Sequence, residues 1–131
     1  MYILDEQSRV EEYIEIAKID SMEKMQIELK RLENIYGAVP TEICSLCKIA
    51  YIKNIASKIG VETVCIKNME TSIQFEKNED VLNEKVSEVV SKFSNFAVLK
   101  LENKPTIEIN IQASLKDKLD FLLNFIENFT N

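Results

Sequence analysis

Asn34-Ile35-Tyr36-Gly37-Ala38-Val39-Pro40 is the stretch that decides how this chain folds. Gly37 and Gly60 are its only glycines. Each directly follows a helical pattern, where a C-terminal cap needs a left-handed backbone that glycine adopts at little cost. Pro40 stands where the next helix begins, because its missing N–H would have no intrahelical partner there. With both glycines placed at helix ends, none remains for a phosphate-cradling loop, so neither a Walker A motif nor a dinucleotide fingerprint is present.

Upstream of that turn, Asp20 or Ser21 can cap a helix that sets Met22, Met25, Leu29, Leu32 and Tyr36 at three-and-four spacing. Its other face carries Lys24, Glu28, Arg31 and Asn34, and is either solvated or a partner site. A first helix, after Asp5, has Val10, Tyr13, Ile14 and Ala17 as its apolar stripe, expected to face the core. Downstream, a helix from Pro40 to Ile59 is apolar on two sides, with Ile43, Leu46, Cys47 and Ala50 on one and Ile52, Ile55, Ala56 and Ile59 further round. So wide a stripe predicts helices on one flank and a sheet on the other.

Beyond Gly60 the period changes. Residues 61–66 and 71–75 are rich in β-branched side chains and predict a hairpin about Lys67-Asn68-Met69-Glu70. Asn78 can cap a fourth helix on Leu82, Val86, Val89 and Phe93. A second strand pair points Ala97, Leu99 and Leu101 inward, turns through Glu102-Asn103-Lys104-Pro105, and continues with Ile107, Ile109 and Ile111 against Glu108, Asn110 and Gln112. Ser114-Leu115-Lys116-Asp117 has the form of a capping box before a last helix on Leu115, Leu119, Leu122, Ile126 and Phe129. Phe121 and Phe125 lie off that stripe, as core overflow or as an exposed pair for a partner groove. The fold class is α+β: an N-terminal three-helix portion, then a small, mostly antiparallel sheet of about four strands with two further helices. Residues 1–131 are expected to form one domain.

A content of 46 % hydrophobic and 29 % charged residues is that of an ordinary globular protein. The net charge of −6, without a lysine or arginine block, repels polyanions and argues against direct nucleic-acid binding. No apolar run approaches the roughly 20 residues that span a bilayer, and the start is not a signal peptide, so a cytoplasmic location and no membrane partner are expected.

The chain has no histidine, the commonest general base and metal ligand. Its acidic residues are interleaved with lysines on helix surfaces, the pattern of a solvated face, and no EF-hand loop or nucleophile elbow is present. Cys44-Ser45-Leu46-Cys47 has C-x-x-C spacing. It lies inside a helix, with no second such pair and only Cys65 elsewhere, so a zinc site would need a carboxylate or a second chain. A thioredoxin-type pair would follow a strand, and here a helix and a turn come first. Two small helix residues are the plainer reading. A cysteine-based redox or metal protein is the alternative; no cofactor or metal is expected.

The opening Tyr2-Ile3-Leu4-Asp5-Glu6-Gln7-Ser8-Arg9-Val10-Glu11-Glu12-Tyr13, with Tyr36-Gly37-Ala38-Val39-Pro40 and a helix ending in Lys58-Ile59-Gly60-Val61, resembles one family. It is similar to the C-terminal domain of the bacterial transcription-repair coupling factor, Mfd. Members open with an aromatic-Ile-Pro-Asp, an Arg and a Tyr, then carry Asp-Arg-Phe-Gly-x-x-Pro before a helix ending in Leu-Gly-Ile. The likeness runs nearly the whole length and is strongest from Tyr2 to Val61.

The resemblance implies an excised C-terminal regulatory domain without catalysis of its own, from a factor that is an ATP-dependent DNA translocase and engages RNA polymerase, DNA and UvrA. It implies docking on the N-terminal UvrB-like module, which masks the UvrA-binding surface and restrains the motor until the factor meets stalled RNA polymerase in transcription-coupled nucleotide excision repair. The family's contact maps to Arg31, Asn34, Ile35 and Tyr36. Its Asp-Arg pair reads Asn34-Ile35 here, an acidic position one turn earlier reads Arg31, and Tyr36-Gly37 keeps the aromatic-glycine pair. Docking is therefore expected to rest on apolar contact at Ile35 and a cation at Arg31.

Overall fold

Five helices and a four-stranded antiparallel sheet are seen in a computed structural model, which describes residues 2, 5–66, 71–77, 84–101 and 104–129. This is the α+β class read from the sequence. The chain forms two compact units, 1–54 and 55–131, with the boundary inside the third helix.

The first unit holds α1 (Glu6–Ala17), α2 (Met22–Tyr36) and most of α3 (Thr41–Lys58). The Asp5 carboxylate caps α1, accepting from the Ser8 N–H and hydroxyl at 3.1 and 2.8 Å. Of the two candidate caps for α2, Ser21 is the one used, accepting from Lys24 N–H at 3.0 Å, while Asp20 pairs with the Lys24 ammonium. Gly37 ends α2 at φ 94°, ψ −167°. Its φ is positive as expected, but the ψ is extended, a region almost confined to glycine, so the chain leaves α2 directly toward Pro40 instead of curling through a left-handed cap. The Pro40 carbonyl then accepts the first α3 bond, from Cys44 N–H at 3.1 Å. Asn54 of α3 donates its amide to Ala17 and Ile19 carbonyls at 2.9 and 2.7 Å, occupying acceptors that the end of α1 leaves open.

One expectation for this unit is corrected. The stripe assigned to the core of α1 faces out: Val10 and Ile14 are 53 % and 52 % exposed, and Tyr13 and Ala17 are exposed too. The buried residues of α1 are Glu12 and Ile16. Burial of Glu12 is possible because α2 supplies an arginine to meet it, and that turns the helix about its axis away from its apolar stripe. Met22 and Leu46, also placed in the core, are partly exposed.

The second unit begins at Ile55, and Gly60, at φ 87°, leads from α3 into β1 (Val61–Ile66). β1 pairs with β2 (Thr71–Phe75) as expected. After α4 (Glu84–Lys92) come β3 (Ala97–Lys100), β4 (Thr106–Ile109) and α5 (Leu115–Glu127). The strand order is β1-β2-β4-β3. Register places Ile73 opposite Ile107 opposite Leu99, and Thr71 opposite Ile109 opposite Ala97, so these residues form two rows on one face of the sheet. The opposite face carries Ser72, Gln74, Thr106 and Glu108 together with the exposed Val98, and Lys100 pairs with Glu108 at 3.0 Å.

Val86 and Val89 of α4 and Leu119, Leu122, Phe125 and Ile126 of α5 are buried. Ser114 caps α5 by accepting from Asp117 N–H at 3.2 Å. Phe125 is fully buried rather than off the core, and its ring lies among those of Phe93, Phe121 and Phe129. Leu101 and Leu115 are exposed because each lies at or beyond the end of its element, and Ile111 lies past β4 and is half-buried. The expected cap Asn78, the helix residue Leu82 and the turn residues Lys67, Asn68, Met69, Glu70, Glu102 and Asn103 lie outside the described residues.

Candidate docking face on the second helix

Arg31, Asn34, Ile35 and Tyr36 share the C-terminal half of α2, and the structure divides them into two kinds. Asn34 and Ile35 are exposed, Ile35 by 56 %. Arg31 and Tyr36 are engaged within the unit.

Arg31 is not a free cation. Its guanidinium bridges the carboxylates of Glu12 on α1 and Glu28 one turn earlier on α2, with Nη1 3.1 Å from Glu12 Oε2, Nε 3.3 Å from Glu28 Oε2, and Nη2 bonded to both acids. The Glu12 side chain is only 8 % exposed, that of Arg31 37 %. Fork geometry suits a guanidinium to this bridging and a lysine could not reproduce it. The Arg31 hydrogen bonds hold the Glu12 carboxyl below its usual range against the opposing effect of desolvation, and a hydrogen bond from Tyr36 adds to them. Glu28 and Glu12 in turn hold the Arg31 pKa above its ordinary value. One cation between two anions leaves the cluster net negative, so the Arg31 charge is engaged within the unit.

Tyr36 hydrogen-bonds Glu12 and packs its ring on that of Tyr2, centroids 5.7 Å apart. The Tyr2 hydroxyl donates to Leu32 O at 3.0 Å and Gly37 O at 2.8 Å, so the opening aromatic staples the start of the chain to the end of α2. Tyr36-Gly37 is thus a structural pair: the ring holds the strap and the glycine makes the exit.

The exposed surface of α2 carries Glu23, Lys24, Gln26, Lys30, Glu33 and Asn34, with Ile27 and Ile35 as apolar side chains among them. Ile27, 62 % exposed, lies eight residues before Ile35, and Arg31 lies midway, so the two isoleucines flank the Arg31 bridge on one helix face. Sequence reasoning missed Ile27, although its two-turn spacing from Ile35 was there to find. The roles of Tyr2 and Glu12 were missed as well.

The C-x-x-C pair lies on α3 with Cys47 buried and Cys44 half-buried, and Cys65 is on β1. Burial pushes the Cys47 thiol up to about 11, leaving it protonated near neutrality and a poor nucleophile or ligand. Among the described residues no cluster of three or more Cys, Asp or Glu is placed to hold a metal ion.

Comparison with known proteins agrees with this architecture. The family model "TRCF domain" matches residues 1–86, about two thirds of the chain. The chain belongs to the TRCF domain family. This TRCF domain is 28 % identical over 116 residues to the transcription-repair-coupling factor of Borreliella burgdorferi (strain ATCC 35210 / DSM 4680 / CIP 102532 / B31), a match that covers 88 % of the chain and 10 % of that relative. It therefore spans about a tenth of the length of the curated relative it matches. Its fold is that of a crystal structure described as the C-terminal domain of transcription-repair coupling factor, with a TM-score of 0.86, 24 % identity, and coverage of 98 % of this chain and 83 % of that one.

Proposed function

We propose that this TRCF domain is a non-catalytic regulatory clamp within a transcription-repair coupling factor. It docks on the N-terminal UvrB-like module of the same protein and covers the surface that module offers to UvrA. Docking restrains the ATP-dependent DNA translocase until the factor engages stalled RNA polymerase, in cytoplasmic transcription-coupled nucleotide excision repair.

The observation that carries this reading is the outward face of α2, where Ile27 and Ile35 stand more than half exposed on a rigid, doubly braced helix. Single exposed apolar residues are ordinary on a surface, but a pair two turns apart on one face is the spacing a partner groove reads. Family membership supplies the partner. With Arg31 held by Glu12 and Glu28, the contact is apolar at Ile27 and Ile35, Asn34 hydrogen-bonds at its rim, and Arg31 and Tyr36 set the shape of the face. The domain adds no chemistry: it occupies a surface, and release is competition for that surface.

A competition assay tests this. With the N-terminal module immobilised, UvrA retention should fall as the chain is added, and should not fall with the Ile27→Asp/Ile35→Asp variant. UvrA retention unchanged by saturating wild-type chain would remove the reading.

A further inference from the structure

A second exposed apolar surface lies within residues 1–54, and docking on α2 does not use it. Between α1 and α3 opens a cleft of about 550 Å³, to which α1 contributes Tyr13, Ile16 and Ala17, and α3 contributes Leu46, Ala50 and Lys53. The exposed Val10 and Ile14 continue the apolar surface along α1.

The charges on this surface have a polarity. Glu6, the first residue of α1, falls on the same helix face as Val10, Tyr13 and Ala17, at spacings of four, seven and eleven residues. Lys53 stands at the other end, since its neighbour Asn54 is bonded to the Ala17 carbonyl. The surface thus reads acid, then apolar side chains over roughly 17 Å, then cation. Lys53 is the one charged residue lining the cleft, and among the described residues neither it nor Glu6 has an ion-pair partner.

An acid-apolar-cation strip is complementary to itself when turned end for end. The geometry points to a second copy of this chain as the occupant: two α1 helices pack antiparallel about a two-fold axis, Val10, Tyr13 and Ile14 of each copy against those of the other, with Glu6 of each copy opposite Lys53 of the other. Such an isologous contact makes the Glu6–Lys53 ion pair twice and buries the apolar strip between the two pairs. Ala17 and Ala50 at the Lys53 end leave room for close approach of the partner helix. The inference is independent of the proposed clamp, because it uses α1 and α3 rather than the outward face of α2.

Sedimentation equilibrium of the 131-residue chain over a wide concentration range tests it. The wild type is expected to show a concentration-dependent monomer–dimer equilibrium. Ile14→Lys, at a position already half-exposed, should keep the fold by circular dichroism and stay monomeric at the highest concentration. Glu6→Lys and Lys53→Glu should each weaken association by about tenfold. An equimolar mixture of those two variants should regain it as a heterodimer, since both cross-copy pairs are then of opposite charge. A wild type monomeric throughout, a dimer that Ile14→Lys leaves intact, or a mixture no better than its separate components would each overturn the inference.

Discussion

Phe125→Ala is expected to lower stability by about 3–5 kcal/mol, the range for emptying a fully buried phenylalanine site. The ring has no exposed surface and lies 5.2 Å from the Phe93 centroid, 5.5 Å from Phe129 and 6.2 Å from Phe121. The edge-on pairs with Phe93 and Phe129 and the stacked pair with Phe121 add to the area they bury, and alanine would leave a cavity that three other rings cannot easily fill. Phe121→Ala should cost clearly less, because that ring is only half-buried. Urea unfolding of the two variants followed by circular dichroism reads the difference. Equal, small losses would mean that the aromatic cluster is not the core of the second unit.

Arg31→Met is expected to cost about 2 kcal/mol. It leaves the buried Glu12 carboxylate facing Glu28 with no cation between them, and the penalty is mainly that of an unpaired buried charge. The figure is below that for a fully buried pair because the Arg31 side chain is 37 % exposed and solvent screens part of the interaction. Glu12→Gln should be milder, and the double variant should lose less than the sum of the two single losses.

The same cluster gives stability a pH dependence. The Glu12 carboxyl titrates lower in the folded chain than its ordinary value. Its contribution is therefore complete above the unfolded-state pKa, about 4.3. It is lost as the pH falls through the lower folded value. Thermal melts of the wild type should show this acid loss, and Arg31→Met, which removes the cause of the depression, should lose less between neutral and acidic pH. A parallel acid loss in both would show that Glu12 is not the responsible group.

Much of the scaffold is legible in the sequence because it is set locally. The Ser21 and Ser114 caps, the two positive-φ glycines, the pairing of residues 61–66 with 71–75 and the α+β class all follow from residue types acting on their own backbone. The facing of α1 is not local. Hydropathy reads Val10, Tyr13 and Ile14 as core and Glu12 as solvent, and the reverse holds because Arg31, nineteen residues on, neutralises Glu12. The pairing also decides the candidate site: the same arginine that a linear reading offers to a partner is spoken for inside the unit. Ile35, expected from the sequence as a contact, is exposed on α2. The spacing of Ile27 from Ile35 was in the sequence as well, whereas the Tyr2 strap needed three-dimensional placement.

Calorimetric titration of the chain into the N-terminal UvrB-like module most directly tests whether α2 docks through an apolar face. Saturable binding is expected, with an affinity that changes little as salt is raised, because the proposed contact rests on the apolar side chains of Ile27 and Ile35, and with loss of binding in Ile35→Asp. An affinity that collapses with salt, binding untouched by Ile35→Asp, or no heat even at low salt would contradict it.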